Sequence, residues 1–163
     1  PPRAPAKPKP AKRLKQLAVN PSFEEMEKAT RFAFGWKPYC WGSSDNRFSS
    51  RIDRVYGHEG ERSLAVRGYA EGSKPGAFCV FAVEKGSYEV TYWACAEVEE
   101  KAQVQAHLGG VDLDIQTVGD EWQKFTQIVT IEKRQLTGGV KVWSVSPGVR
   151  VWFDDVQVWR LQD

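Results

Sequence analysis

Tryptophan is the residue type in this sequence best suited to chemistry, because seven of the 163 residues are Trp. Alternation along three strand-like runs predicts that Trp93, Trp143 and Trp152 point away from the core. An outward indole ring can cover the apolar C–H face of a sugar, while amides and charged groups meet its hydroxyls. The predicted ligand-binding residues are Trp41, Phe78, Gln105, His107, Lys141 and Trp143.

A catalytic site is not predicted. Nucleophilic catalysis needs a Ser or Cys beside a positioned His, but neither His58 nor His107 lies in a recognisable nucleophile motif. The 21 acidic residues always offer some carboxylate pair, so such a pair is no signal by itself. A hydrolase or lyase would have to start from His107 and a nearby acid. We therefore expect a binding protein and no enzyme.

Composition limits the class of partner. Hydrophobic residues make up 41% and charged residues 27% of the chain, as in soluble globular proteins. The formal charge is only +2, and the first fifteen residues carry six bases and no acid, so the remainder is mildly acidic. Nucleic-acid binding is therefore not expected. No apolar run approaches the roughly 20 residues that a membrane-spanning helix needs. The sequence leaves open whether a signal sequence has been removed.

The cysteines carry little information. Cys40, Cys79 and Cys95 fit neither a CxxC metal pattern nor a dense disulfide framework. At most one bridge is possible, with Cys79 and Cys95 as an open pair, and buried free thiols are the favoured interpretation.

The chain is predicted to be a linker followed by one all-β domain. Residues 1–16 mix Pro with Lys and Ala, which is typical of an extended linker, with a basic arm for anionic polymers as the alternative. Residues 17–163 predict a β-sandwich jelly roll of about nine antiparallel strands. Only residues 23–34 could form a helix or a few turns. The predicted strands cover residues 17–19, 54–56, 63–68, 78–83, 88–96, 103–108, 125–132, 140–145 and 149–161.

Several motifs follow one another in an order that resembles a known family group. They are AVNPSFEE, the pair Gly35–Trp36, GERSLAVRG, EKGSYEVTYWACA, DEWQKFTQIVTI and VRVWFDDVQVW. This succession is similar to that of carbohydrate-binding modules with a galactose-binding-like jelly roll, in families four, nine, sixteen and twenty-two. The resemblance covers residues 17–161 and implies a jelly roll with sugar as the expected ligand, although this fold serves other binding roles too.

The resemblance also implies a sheet for each tryptophan. SVSPGVRV looks like a tight hairpin, but in this group the strands of Trp143 and Trp152 belong to different sheets. Trp143 would share the concave cleft sheet with Gln105 and His107, and Trp93 would join Trp152 on the convex sheet. His107 falls where relatives often place a stacking ring, which is a departure from the group's pattern.

Further aromatic residues are assigned by the same resemblance. Trp36 and Trp122 match positions that usually fill the core. Tyr39 and Trp41 lie in a stretch, residues 37–62, that looks longer than its counterpart. This stretch either roofs the cleft or is disordered, and the sequence leaves both open.

Members of the group commonly carry a structural calcium ion. It is held by a carboxylate after the first strand, an acid in the last strand and nearby backbone oxygens, and Ca²⁺ takes about 6–8 oxygen ligands. The matching residues are Glu24 in NPSFEE and Asp154 or Asp155 in WFDDV. The alternative is that Glu24 begins a turn and Asp154 ends a strand pairing, with no ion bound.

We therefore expect a secreted or cell-surface, non-catalytic module that targets a parent protein, a polysaccharide-active enzyme, to polysaccharide or oligosaccharide. Its other partners would be domains of the parent chain. The alternative is a structural or adhesion module whose aromatics, Trp93 and Trp152, pack against a neighbouring domain or a protein partner. Carbohydrate binding predicts that Trp143→Ala abolishes affinity and leaves the fold intact.

Overall fold

The computed structural model describes residues 10–42, 47–58 and 60–163, which form two antiparallel β-sheets. Within these ranges there is no helix, and hence none with the length and apolarity to cross a membrane. The predicted all-β sandwich is confirmed. The strands are β1 (Arg13–Gln16), β2 (Trp36–Trp41), β3 (Phe48–Asp53), β4 (Ser63–Gly68), β5 (Lys74–Cys79), β6 (Gly86–Ala96), β7 (Ala102–Leu108), β8 (Val111–Asp112), β9 (Gln116–Val118), β10 (Gln123–Ile131), β11 (Val140–Ser144) and β12 (Val151–Leu161).

The strands divide between two sheets. Sheet A has the order β10-β6-β12-β4-β3, and β1 also pairs with β12. Sheet B has the order β2-β5-β11-β7-β8, and β9 also pairs with β7. Because β11 and β12 lie in different sheets, the segment between them crosses from sheet B to sheet A, as the resemblance implied.

The core lies between the sheets and follows from the alternation of apolar residues. Leu64, Val66, Val90 and Val142 are all at most 1% exposed. Apolar residues spaced two apart point to one face of a strand, so two such faces bury each other. The largest fully buried side chains are Tyr88, Tyr92, Phe23, Phe153, Leu64, Leu108 and Ile131.

The described residues form twelve strands where about nine were predicted. β2, β8 and β9 were not predicted, β1 and β3 lie outside the predicted strands at 17–19 and 54–56, and β5 is displaced. Residues 37–62 hold β2 and β3, so in its described part this stretch neither roofs the site nor is disordered. Pro38 concealed β2, although proline is tolerated on an edge strand such as this one. Pro75 and Gly76 look like a turn, yet they lie inside β5, which therefore begins at Lys74 and ends at Cys79.

The segment 23–34 is not a helix. Phe23 and Arg31 have φ values of 59° and 56°, in the left-handed region that a right-handed helix excludes. The side chain of Asn20 organises the segment instead: its Nδ2 donates to the Glu25 carbonyl at 2.8 Å, and its Oδ1 accepts the Glu25 amide at 3.1 Å. Phe23 is thereby buried against Trp36, with ring centroids 4.9 Å apart.

The end of the predicted linker belongs to the sandwich. β1 lies within residues 1–16 and pairs with the last part of β12. Arg13 donates from Nε to Glu89 Oε1 at 2.8 Å and lies 5.0 Å from the ring centroid of Trp159. The predicted boundary at residue 16 is therefore too late, because the folded part already includes Arg13. Residues 1–9 lie outside the described residues.

None of the three cysteines, all of which lie in the described residues, forms a disulfide. Cys79 lies on the inner side of sheet B, whereas Cys95 lies in β6 of sheet A, and both are buried. The interpretation as buried free thiols holds for these two, while Cys40 is only half-buried.

Candidate functional site

The outer face of sheet B carries four aromatic side chains, which we call the sheet B aromatic cluster: Tyr39, Trp41, Phe78 and Trp143. They come from β2, β5 and β11, which are hydrogen-bonded neighbours. The register puts Gly76 opposite both Tyr39 and Trp143. A Cβ at Gly76 would lie 1.9 Å from the Val142 carbonyl oxygen, so any side chain there would push β5 away from β11.

Trp41 is the centre of the sheet B aromatic cluster. Its ring centroid lies 5.0 Å from that of Tyr39, 5.3 Å from that of Trp143 and 6.2 Å from that of Phe78. The rings meet at tilted or edge-on angles, which their quadrupoles favour. Because Tyr39 is 51% exposed, the cluster reaches solvent on the β2 side.

Trp143 was predicted to face solvent, and this prediction is wrong. It points to the outer face, but it is only 5% exposed because neighbouring side chains cover it. Its Nε1 donates to Gln105 Oε1 at 3.2 Å, and Gln105 Nε2 donates to the Leu113 carbonyl at 2.8 Å. Trp143 and Gln105 are therefore parts of the floor of this face, with their polar atoms already bonded.

His107 is likewise held by internal hydrogen bonds. Its Nδ1 lies 2.7 Å from Asp112 Oδ1, and its Nε2 accepts the Gly110 amide at 3.1 Å. Since Nε2 accepts a hydrogen bond, Nδ1 carries the N–H and donates a hydrogen bond to Asp112. The ring lies 5.8 Å from that of Trp143, so His107 forms a side wall of the same face.

A hollow of about 310 Å³ opens beside the exposed rings. A second hollow of about 390 Å³ adjoins it, and Phe78 and Val80 line both. Val80 is 54% exposed, so the boundary between the two is apolar and open. The first hollow is lined by Tyr39, Trp41, Phe78, Val80, Thr137, Gly138 and Lys141.

Two lysine side chains lie over the indole rings of this face. Lys74 Nζ is 5.6 Å from the ring centroid of Trp143, and Lys141 Nζ is 5.6 Å from that of Trp41. Such cation–π contacts are worth roughly 0.5–1 kcal/mol at exposed sites. Both ammonium groups are thereby held close to the aromatic surface.

The structure brings together all six residues predicted to bind ligand, because each lies on the outer face of sheet B. Their role as ligand contacts stays a prediction. Sequence reasoning did not select Tyr39, Lys74, Val80 or Thr137 for the site. The alternation in WKPYCW already places Tyr39 and Trp41 on one face, but Pro38 hid the strand.

Sheet A has an aromatic group on its own outer face, which we call the sheet A aromatic cluster: Tyr56, His58, Trp93, Trp122 and Trp152. His58 stacks on Trp93 with centroids 3.7 Å apart, and Tyr56 lies 4.8 Å from Trp152 and 5.6 Å from Trp122. Trp93 and Trp152 share this sheet, as predicted. Trp122 was assigned to the core, and this was wrong, because it lies half-buried beside Tyr56.

Burial shapes the chemistry of the sheet A aromatic cluster. It raises the pKa of Tyr56 to about 12 and that of Cys95 to about 11, and the Tyr56 hydroxyl lies 3.7 Å from Cys95 Sγ. Both groups are therefore protonated at neutral pH. Trp152 Nε1 donates to Asp53 Oδ2 at 3.1 Å, so the cluster is tied to β3 by a carboxylate.

Two of the carboxylates expected to hold calcium reach one segment from opposite ends of the chain. Glu24 Oε1 accepts the Arg62 amide at 2.8 Å. Asp154, which is fully buried, accepts the His58 amide at 2.7 Å. Asp154 and Glu24 therefore bond to His58 and Arg62, respectively, and Arg62 Nη1 also lies 3.5 Å from Glu24 Oε2. Carboxylate oxygens are among the donors that a hard cation such as Ca²⁺ takes.

The third predicted calcium ligand points elsewhere. Asp155 has a φ of 47° at a β-bulge in β12, and its Oδ1 accepts Gln157 Nε2 at 2.7 Å. Within the described part of the chain no three His, Cys, Asp or Glu side chains group as a metal site. An ion held by Glu24 and Asp154 would therefore need main-chain oxygens as its remaining ligands.

Comparison with known proteins addresses the fold. No protein-family model matches this sequence, and no curated protein sequence matches it significantly. The CBM22-1 xylan-binding domain of Paenibacillus barcinonensis Xyn10C is 14% identical, with a TM-score of 0.61 over 96% of this chain and 99% of that domain. A family 16 carbohydrate-binding module is also 14% identical, with a TM-score of 0.55 over 87% of this chain and 98% of that module.

One similar structure is a larger enzyme. The arabinose-bound α-L-arabinofuranosidase MgGH51 is 10% identical, with a TM-score of 0.67 over 88% of this chain, but the chain spans only 26% of that enzyme. Identities this low show the fold alone. The chain thus has the β-sandwich fold of carbohydrate-binding modules, and two of the families that its motifs resemble, twenty-two and sixteen, are among the structures that share it.

Proposed function

We propose that this chain is a non-catalytic carbohydrate-binding module whose site is the sheet B aromatic cluster with its two hollows. The observation that carries the proposal is that Tyr39, Trp41 and Phe78 surround one hollow together with Lys141. Aromatic rings suit the apolar C–H faces of sugars, and the ammonium group suits hydroxyl oxygens. A volume of about 310 Å³ lies at the lower end of the roughly 300–1,000 Å³ of ligand sites.

The second hollow extends this site along the β2 edge of sheet B. Lys37, Glu27 and Thr30 supply its polar lining, and Trp36 and Phe78 contribute apolar surface. Two adjoining hollows with a shared apolar boundary suit a chain of sugar units better than a single monosaccharide. We therefore propose a polysaccharide or oligosaccharide ligand.

We also propose that the module serves a larger, secreted or cell-surface protein. The fold match to a quarter of a glycoside hydrolase supports this, because it shows that such a sandwich occurs as one part of an enzyme chain. A tethered module raises the local concentration of the parent enzyme at its polymer, and this effect needs no high intrinsic affinity.

A structural calcium ion is a further part of the proposal. Glu24 and Asp154 would supply carboxylate oxygens, and Asp155 would not contribute its side chain. When bound, the ion would supply electrostatic cross-linking and no chemistry. Its support is that a buried carboxylate, Asp154, and a second one, Glu24, accept hydrogen bonds from the main-chain amides of His58 and Arg62.

A structural or adhesion role is the second candidate function, favoured by the sheet A aromatic cluster. Tyr56 is 38% exposed, and Trp93, Trp122 and Trp152 are half-buried, so a neighbouring domain could cover them further. This candidate predicts no affinity for any saccharide. It also predicts that these rings become buried in the parent protein.

The test is a screen of the chain against soluble and insoluble polysaccharides, read by retardation and by tryptophan fluorescence. We expect retention on one class of polymer, and we expect Tyr39→Ala to lower the affinity at least about tenfold, because an aromatic contact at a binding site is worth more than 1 kcal/mol. Ile128→Ala is the matched control, since Ile128 is 66% exposed on sheet A. No retention on any polymer would overturn the proposal, and release of reducing ends would overturn its non-catalytic part.

A further inference from the structure

The sheet B face is bordered by lysines that have no acidic partner. Lys37, Lys74 and Lys141 all project to this face, as the register of β2, β5 and β11 shows. No carboxylate of a described residue lies within 4.0 Å of any of the three ammonium groups, whereas other basic residues of the chain form such pairs. The chain carries a formal charge of only +2, so this is a local excess of positive charge.

Two described acids that border this face, Asp112 and Glu27, form no ion pair with its lysines. Asp112 is engaged by His107 at 2.7 Å, on the β7 side of the face. Glu27 lines only the second hollow, where Lys37 also lies. The first hollow has Lys141 as its charged lining residue among the described residues.

The positions of Lys74 and Lys141 change what a ligand meets. Each Nζ lies 5.6 Å from an indole centroid, Lys74 over Trp143 and Lys141 over Trp41. Lys141 thus covers part of the Trp41 ring, on which a neutral sugar would stack, and Lys74 lies over the buried Trp143. Each ammonium group still has N–H donors that no described residue accepts, because the π face of an indole attracts the charge but does not replace three hydrogen bonds.

We infer that the sheet B site takes an anionic saccharide, one whose sugar units carry a carboxylate or a sulfate group. The inference rests on the proposed function, and it names the class of ligand for the same site. An anionic group near Lys74 or Lys141 gains charge-assisted hydrogen bonds, which are stronger than those to neutral hydroxyls. The tilted rings of Tyr39, Trp41 and Phe78 then cover the apolar faces of the sugar units.

The first test compares polymers that differ only in charge. Polygalacturonate is paired with its methyl ester, and dextran sulfate with dextran, so the two pairs distinguish carboxylate from sulfate. We expect at least one charged polymer to bind roughly tenfold or more tightly than its neutral counterpart at low salt. Because the Debye length falls from about 10 Å at 0.1 M to about 3 Å at 1 M salt, this preference should shrink as salt rises.

The second test locates the binding on sheet B and excludes general attraction by bases elsewhere, including the basic start of the chain. We expect the double variant Lys74→Gln with Lys141→Gln to lower affinity for the charged polymer about tenfold, as the loss of two ion pairs worth about threefold each would do. The control pair, Lys15→Gln with Lys124→Gln, lies on exposed sites of sheet A and should change affinity by less than twofold. The charge-keeping Lys74→Arg with Lys141→Arg should retain tight binding.

The outcomes separate this inference from the function on which it rests. Equal loss in the test and control pairs would overturn the inference, because general electrostatics would then explain the binding. Tighter binding to a neutral polymer than to any charged one would overturn it and leave the carbohydrate-binding function standing. No binding to any polymer would overturn both.

Discussion

At the scale of single residues, position on a face and exposure to solvent turned out to be different properties. Trp143 projects from sheet B as alternation predicts, yet Trp41, Lys74 and Gln105 cover it. Tyr39, which sequence reasoning left in a loop, is the exposed ring of the same face. The binding contacts of this site are therefore expected at Tyr39 and Trp41, with Trp143 as the support beneath them.

This difference changes the expected effect of Trp143→Ala. Because the indole is 5% exposed and its loss leaves a cavity, we expect the free energy of unfolding to fall by about 3 kcal/mol. Tyr39→Ala should change it by less than about 1 kcal/mol, since half of that ring is in solvent already. Denaturant unfolding of both variants is the measurement, and equal stability of the two would contradict the placement of Trp143.

A second residue-scale prediction concerns pH. Burial alone would raise the pKa of Asp53, but hydrogen bonds from the Val55 amide and the Trp152 indole, with the charge of Arg51, hold it below the ordinary value of 3.8. A carboxyl with a lowered folded-state pKa stabilises the fold above its unfolded-state pKa. This contribution is lost as pH falls below about 4 and through the folded-state pKa.

The variant Asp53→Asn tests this contribution. At pH 6 we expect it to unfold about 2–4 °C below the wild type, which corresponds to about 1 kcal/mol for a domain of this size. The difference should shrink as pH falls below about 4, because the wild-type carboxyl then becomes protonated. Thermal unfolding followed by tryptophan fluorescence gives both curves, and a difference that stays constant over this range would contradict the account.

At the scale of elements, the long strand β12 joins the parts of the molecule. It pairs with β6 along its length, with β4 near its start and with β1 near its end. The bulge after Asp154 interrupts these ladders at the point where the buried carboxylate meets the His58 amide. His58, Arg62, the region of Glu24 and the last strand therefore form one junction.

The proposed calcium ion would act at this junction. If it binds, we expect a chelator to lower the midpoint of thermal unfolding by about 5–10 °C, because a ligand at 100 times its Kd adds about 2.7 kcal/mol. Asp154→Asn should remove this chelator effect. Asp155→Asn is the matched control and should keep it, since that side chain faces Gln157. Identical midpoints with calcium and with chelator would reject the ion.

At the scale of the whole molecule, the sandwich separates two aromatic surfaces. The sheet B aromatic cluster and the sheet A aromatic cluster lie on opposite outer faces, with the two-sheet core between them. Packed sheets are about 10 Å apart, so neither cluster touches a ligand bound to the other. One chain can thus offer a binding face and a separate face for packing.

Trp93→Ala tests this separation. It removes the ring that stacks on His58, so we expect lower stability, by about 1–3 kcal/mol. Affinity for the polysaccharide should stay within about twofold, because distant sites act independently. Parallel measurement of unfolding and of retention on the polymer gives both numbers. Loss of affinity in a variant of unchanged stability would move the binding site to sheet A.

Much of the fold could be predicted from the sequence, because period-two alternation is a local property of each strand. β4 matches its predicted bounds, β6, β7, β10, β11 and β12 lie within two residues of theirs, and the inner residues Val104, Ala106 and Leu108 are all buried. The prolines in β2 and β5 defeated the same reasoning, since a missing N–H excludes a strand only where a neighbour requires that donor. Alternation also predicted correctly that Trp93, Trp143 and Trp152 lie on the outer faces of their sheets.

Only the tertiary structure decided which of these outward rings meet solvent. Exposure depends on what adjacent strands bring to the same face, and β2, β5, β7 and β11 are far apart in the sequence but neighbours in sheet B. The tertiary structure also decided that Trp122 lies beside Tyr56 and not in the predicted core. It likewise decided that lysines lie over the indoles of Trp41 and Trp143. The sequence by itself determined most of the longer strands and the faces of their residues, whereas the long-range pairing of strands decided where the candidate site is and which charges it carries.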